Sequence, residues 1–237
     1  MPRDDLTSPR RPLLVAPGRP VVAVLAAVGV VAGVLTGRPA FDTVNGCGFP
    51  VDRYPSATAR DWVDHADVVI VGRAVRERES GRRELAAGAY LYQLERTVEL
   101  TRESLPFTSP ARSHPNVGAA VDYIAPGWKI LRSDGSTRVD DLVGDAPRVV
   151  PGHTYILALR WQDDRWVALG EGAVVPFDDQ VVGRGEWCGD VLDTDGFAEG
   201  ERISRRDDHS LEKALIGRGE DALTRELDRA ARQKSSD

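Results

Sequence analysis

The sequence predicts a mainly β, α+β fold: a small antiparallel barrel with a short helix before it and helices after it, held outside a membrane by one N-terminal span. Three observations predict it. Val21–Leu35 is an apolar run of fifteen residues with no polar side chain. Ala89–Arg102 alternates, with Tyr90, Tyr92, Leu94, Val98 and Leu100 on one face, broken only by Arg96, and Gln93, Glu95, Thr97, Glu99 and Thr101 on the other. A strand of about a dozen residues, against a usual five or six, suggests one that curls round a barrel. Near the C-terminus the period changes to that of a helix, with Ala222, Leu223, Leu227 and Ala230 on one side.

Residues 1–20 carry five prolines and four arginines against two aspartates, and no aromatic residue precedes Phe41. Such a stretch has little to bury and is predicted to be a disordered cytoplasmic tail. Thr36 and Gly37 extend the apolar run to residues 21–37 before Arg38, which meets the lower limit of about 17 residues for a spanning helix. The run lacks the polar face of a core helix. Signal-peptide cleavage wants small residues at −3 and −1. Cleavage after Ala40 would put Arg38 at −3, and cleavage after Gly37 would put Leu35 there, so a retained transmembrane signal anchor is expected. Four arginines precede the span and only Arg38 and Arg53 follow closely, which places the C-terminal part of the chain outside the membrane. Disulfides persist in that compartment, and the even pair Cys47 and Cys188 is expected to bridge.

Residues 38–55, with Pro39, Gly46, Gly48, Pro50 and Pro55, predict an irregular juxtamembrane stalk. The extracytoplasmic β-rich domain is assigned to residues 56–209. Ser56 is the expected cap of a short helix bearing Ala59, Trp62, Val63 and Ala66 on one face. Val68–Val71 predicts a strand buried on both faces, running on to Val75. Pro106–Asn116 is expected to be a loop, Ala119–Ala125 a strand that resumes at Trp128–Leu131 after a bulge at Pro126-Gly127, and Ser133–Ala146 a polar loop turning at Asp134-Gly135. Tyr155, Leu157, Leu159 and Trp161 alternate with Ile156, Ala158 and Arg160 in the next strand. Gln162–Asp164 turns into Trp166–Leu169, and Ala173–Phe177 with Gln180–Val182 is expected to form a hairpin. Residues 210–237 are the C-terminal helical segment, with Ser210 capping a helix that stops at Gly217 or Gly219.

The composition excludes several functional classes. A hydrophobic content of 41% with 29% charged residues is neither that of a disordered chain nor that of a multi-span membrane protein. A net charge of −6 leaves no basic stripe for nucleic acid. Two cysteines are too few for a zinc site of thiolates alone. His65, His114, His153 and His209 stand at no helical or hairpin spacing, so none is assigned a metal or catalytic role. Asp190, Asp193, Asp195, Gly196, Glu199 and Glu201 resemble a calcium loop, but aligning Gly196 leaves Val191 and Arg202 at the two ends of the cage, and a solvated loop is expected. Glu171, Asp178, Asp179 and Glu186 flank the expected hairpin, where paired carboxylates could serve glycosidase chemistry only at a defined separation across a cleft. Trp62, Trp128, Trp161, Trp166 and Trp187 are expected in the core for the most part, with an exposed one marking a binding surface. No cofactor, metal or catalytic residue is assigned.

The stretches Pro151–Trp161, Trp166–Asp179 and Val181–Glu186 resemble a family of membrane-anchored and exported actinobacterial proteins, uncharacterised in activity. That resemblance implies a location and transfers no site. More loosely, the short helix, the strand Ala66–Val75, the long amphipathic strand and Gly152–Leu159 are similar to netrin-like modules and tissue inhibitors of metalloproteinases. This resemblance implies a five-stranded OB-like barrel. Those inhibitors act through a free N-terminal cysteine, whereas Cys47 is internal, so their mechanism does not transfer. The resulting expectation is a single-pass membrane protein whose outer domain binds an exported or cell-surface partner. The alternatives are an envelope-polymer hydrolase using carboxylates near the 173–182 hairpin, or a protease-inhibitor-like partner protein.

Overall fold

A computed structural model of the protein describes residues 53–141, 146–187, 190–192, 195–196 and 210–236. All lie in the second of two units, Phe41–Asp237. The expected tail and span, Cys47, Cys188 and His209 fall outside the described residues. Among the described residues no helix is long and apolar enough to cross a membrane.

The chain is mainly β. Seven strands make one mixed sheet, two more pair separately, and a few helices accompany them. Helix α1 (Ala59–His65) starts at a capping box: the Thr58 hydroxyl accepts from the Asp61 N–H at 3.1 Å, and the Asp61 carboxylate accepts from the Thr58 N–H at 2.9 Å. The cap thus lies two residues beyond Ser56, whose carbonyl instead accepts the Trp62 indole N–H at 2.7 Å.

Strands β1 (Val68–Glu84) and β2 (Tyr90–Thr108) pair antiparallel along their whole length. The expected end of β1 near Val75 is corrected. Its charged continuation alternates Arg and Glu, and these find counter-charges on other strands, Arg76 on Glu99 of the neighbouring β2 and Glu79 on the more distant Arg138. Strand β2 also continues through Pro106, expected in a loop, because a register shift opposite Val69–Val71 takes up the proline.

Strand β3 (Ala120–Leu131) pairs with β2 and carries the expected bulge: Leu94 faces Trp128, Glu95 faces Pro126, and Gly127 is the extra residue. A Cβ at Gly127 would lie 2.6 Å from the Leu94 carbonyl oxygen, so the close approach requires glycine. The expected 133–146 loop contains a short strand, β4 (Arg138–Asp140), paired to β3. The turn before it is held by Asp134, which accepts from the Thr137 hydroxyl and from the Ser136 and Thr137 N–H groups; these bonds pull its carboxyl down to about 2.

Strand β5 (Thr154–Gln162) joins β6 (Arg165–Ala168) through Asp163 and Asp164, both left-handed, as a two-residue hairpin turn demands. On its other edge β5 pairs with β1. Strand β6 meets β3 in a parallel bridge, Tyr123 to Trp166. The pairings therefore run β1-β2-β3-β6-β5 and return to β1. The parallel bridge makes the sheet mixed, where an all-antiparallel one was expected.

The expected 173–182 hairpin does not form. Strand β7 (Val174–Pro176) pairs with β5, and residues 178–180 make a tight turn in which Asp179 and Gln180 are left-handed. Phe177 bridges in parallel to Arg184, and β8 (Gly185–Trp187) pairs with β9 (Asp190–Leu192). The apolar Val174 and Val175 are buried by pairing at the end of the sheet with β5, in place of Gln180–Val182.

Alternation gives β1 and β5 two buried faces. Val68, Ile70, Tyr155, Leu157 and Leu159 point into an inner cluster with Val98, Leu100, Val121, Tyr123 and Trp166. Val69, Val71, Ile156 and Ala158 point outward to a second cluster under the helices. Tyr90 and Tyr92, expected in the inner core, are half-buried beyond its end. Helix α2 (Leu211–Leu215) is capped by Ser210, whose hydroxyl accepts from the Lys213 N–H at 3.2 Å, and stops at the left-handed Gly217. Helix α3 (Glu220–Lys234) lays Leu223, Leu227 and Ala230 on the outer cluster, and its Lys234 pairs with Asp64 of α1 at 2.9 Å.

Gly127→Ala should lower stability by about 1–3 kcal/mol, the usual range for forced overpacking, in urea unfolding monitored by circular dichroism. A change within 0.5 kcal/mol, as for an ordinary surface site, would mean that the bulge tolerates a side chain.

Candidate functional site

Two polar arrangements compete for attention: one inside the sheet and one on its outer face. The inner one centres on Arg96. It sits between Leu94 and Val98 on the apolar face of β2 and is 0% exposed. Its Nε donates to the Pro126 carbonyl at 2.8 Å, and its Nη1 donates to Glu77 at 2.7 Å and to the Val149 carbonyl at 3.0 Å. Burial, helped by neighbouring Arg148, lowers its pKa from the ordinary arginine value, and Glu77 opposes that shift.

Glu186, 1% exposed, closes the other side. Its carboxylate accepts the N–H groups of Arg148 and Val149, each at 2.9 Å, and the Tyr155 hydroxyl at 2.7 Å. The Tyr155 oxygen in turn accepts the Val150 N–H at 3.0 Å. Val149 is left-handed, with φ of 63°, a strained conformation for a β-branched residue. That conformation turns successive N–H groups toward one anion, as in a backbone nest, and the anion is the chain's own carboxylate. Burial, with the Glu186 charge second, raises the Tyr155 pKa above its ordinary value.

A separate pair, His153 and Asp178, meets at 2.6 Å, and the second Asp178 oxygen accepts the Thr154 N–H at 2.8 Å. Asp178 thereby pins the 178–185 turn to the start of β5. A Cβ at Gly185 would come within 2.9 Å of its Oδ2, and Gly185 is left-handed besides.

The outer arrangement is an open cleft of about 640 Å³. Its floor is the outward face of β2 and β3, with Thr97, Glu99, Asp122 and Ile124. Its walls are Pro115 and Asn116 of the β2–β3 loop and Trp161, Asp164, Arg165 and Trp166 of the β5–β6 hairpin. Trp161 and Trp166 meet edge to face at 5.1 Å between ring centres, and His114 sits edge-on to Trp166 at 5.8 Å. The backbone N–H of Trp161 is anchored on the buried Asp67 carboxylate at 2.8 Å. Arg78 pairs with Asp122 at 2.9 Å and Arg165 with Glu95 at 3.1 Å.

The residues singled out from sequence disperse. His65 stacks on Tyr54, and Asp179 makes an exposed ion pair with Arg184 at 3.2 Å. Trp62 is core, and Trp128 lies between the guanidinium groups of Arg138 and Arg148. Glu171 opens a single 3-10 turn, and Asp195 is exposed. Asp193, Glu199 and Glu201 are outside the described residues. Among the described residues no group of three or more His, Cys, Asp or Glu is placed to hold a metal ion. Among the carboxylates near the expected hairpin, Asp178 meets a histidine, His153. Sequence reasoning missed the Arg96 lock and the cleft. The sequence carries a signal for the first, since Arg96 is the one charge interrupting an apolar face. No protein-family model matches the chain, and no curated protein is significantly similar to it.

Glu186→Gln should cost about 1–3 kcal/mol in urea unfolding, because an amide cannot accept three hydrogen bonds without turning its own donor toward one of them. An unchanged midpoint would refute the clamp. The tyrosines offer a pH test. Burial pushes Tyr123 up to about 12. Because its folded pKa is raised, its contribution to stability is intact below the ordinary value near 10 and is lost as pH rises through about 12. Ultraviolet titration should therefore find that Tyr123 and Tyr155, two of five tyrosines, ionise after the rest. A single transition near 10 in folded protein would contradict their burial.

Proposed function

We propose that the outer domain is an OB-like barrel acting as a binding module at a membrane surface, with its ligand seated in the cleft on the outward face of β2 and β3. The barrel reading is supported by a pairing order that returns to β1 and by the parallel bridge between β3 and β6. The observation that carries the binding reading is where the space lies. The interior is filled by a cluster of side chains, and the cleft opens at its margin, where Val121 and Trp166 of that cluster, half-buried Trp161 and exposed ion pairs line it. Open surfaces more often bind than catalyse, because catalysis generally needs groups held away from water. The hydrolase alternative finds little support: Glu186 is buried with both oxygens engaged, and both Asp178 oxygens are committed to His153 and Thr154. The anchor at residues 21–37 and a Cys47–Cys188 bridge belong to the same proposal, as what holds the module outside the membrane.

The test is photo-crosslinking in native membranes. A photoreactive phenylalanine at Asp164, on the rim of the cleft, should give a discrete adduct. The same group at exposed Asp228 of α3 should give none. Equal labelling at the two positions, or none at Asp164, would reject the cleft as the binding site.

A further inference from the structure

We infer that the cleft takes an uncharged glycan chain, an assignment that rests on the cleft being the binding site. Three features of the site lead to a neutral, polyhydroxylated ligand. First, most of its charges are already compensated. Arg78 and Arg165 each have a carboxylate partner, and Glu99 on the floor is paired with Arg76 at 2.5 Å. An anionic polymer would have to break these pairs and would meet the unpaired Asp164 carboxylate, and a cationic one would find only Asp164 without an ion pair among the lining carboxylates. Second, the pairs remain accessible. The Arg78 and Asp122 side chains are 58% and 56% exposed, so their outer N–H groups and lone pairs are open to hydroxyl groups, which both donate and accept. At the rim, exposed Asn116 adds a donor and an acceptor, and exposed Asp164 adds acceptors. Third, half-buried Trp161, braced by Trp166, supplies apolar surface with a fixed orientation. A sugar ring presents C–H groups on its faces and hydroxyls round its edge, which matches an aromatic wall beside a floor of donors and acceptors.

An extended peptide fits less well. Peptides gain affinity by adding a strand to a free sheet edge, whereas the floor of the cleft is the face of β2 and β3, and both edges of β2 are occupied by β1 and β3. The volume, about 640 Å³, lies within the range of about 300–1,000 Å³ typical of small-ligand sites, and suits a short run of sugar units.

The experiment uses the full chain in lipid nanodiscs, with cellohexaose, maltohexaose and chitohexaose as probes, and hyaluronan oligosaccharides and polyphosphate as anionic controls. Calorimetry and tryptophan emission are the readouts. At least one neutral hexasaccharide should bind and perturb the emission, with affinity nearly unchanged between low and high salt, since screening acts only on charge. Trp161→Ala should weaken it about tenfold or more, as loss of a tryptophan anchor usually does. Trp161→Phe, which keeps an aromatic wall and guards against misfolding, should weaken it less, and exposed Asp164→Ala a few-fold. Absence of binding by all three neutral probes, or binding indifferent to both Trp161→Ala and Asp164→Ala, or tighter and salt-sensitive binding of the anionic controls, would overturn the assignment. An adduct at position 164 without glycan binding would sink the glycan alone; no adduct and no binding would sink the cleft as well.

Discussion

A buried cation sets the terms for the rest of this structure. Arg96 occupies an apolar face from which water is excluded, and an uncompensated charge there would cost several kcal/mol. Each of its partners fixes a different piece of chain: Glu77 the middle of β1, the Pro126 carbonyl the bulge in β3, and the Val149 carbonyl the loop leading to β5. The last of these needs Val149 in a left-handed conformation, which Glu186 supports by accepting the N–H groups of Arg148 and of Val149 itself. Glu186 comes from β8, so the C-terminal part of the domain is tied to the same point. Removing the arginine would take the side-chain donor from the Pro126 and Val149 carbonyls and leave Glu77 with Arg148, at 3.3 Å, as its ion-pair partner.

The position of the cleft follows from which surfaces remain. The inner face of the sheet is filled, and the outer faces of β1 and β5 lie beneath α1 and α3. The outward face of β2 and β3 is left uncovered, with the β2–β3 loop and the β5–β6 hairpin rising beside it. Asp163 and Asp164 let that hairpin turn tightly, and the turn sets Trp161 and Trp166 on opposite strands at contact distance.

Where side-chain period alone decides structure, the sequence was legible. The two-sided β1 and β5, the bulge at Gly127, the Ser210 cap and the apolar stripe of α3 all follow from local pattern. Val98 and Leu100 share the inner core with Tyr155, Leu157 and Leu159 as alternation requires, while Tyr90 and Tyr92 fall past its end, because period fixes a face and says nothing of how far the core extends along it. Misreadings arose where partners are remote. The Arg-Glu tract after Val75 pairs with β2 and finds its counter-charges on β2, β3 and β4. Val174 and Val175 pair with β5 and not with their neighbours, and no local signal marks Glu186 as the acceptor for residues 148 and 149. The cleft draws on segments from Arg78 to Trp166, a juxtaposition that only the tertiary pairing creates.

Strands β1 and β5 are walls common to both hydrophobic clusters. Neither cluster can melt while the other stays intact, because loosening either strand empties both sides at once. The domain should therefore unfold as one cooperative unit, without a stage in which the helices have left and the sheet persists. The same sharing bears on assembly. Val68 and Leu159 are direct partners although most of the domain lies between them in the chain, so the wall cannot be completed from local contacts. Folding of such a topology is slow compared with helical domains, and the apolar faces of β1 stay uncovered until synthesis has passed β5.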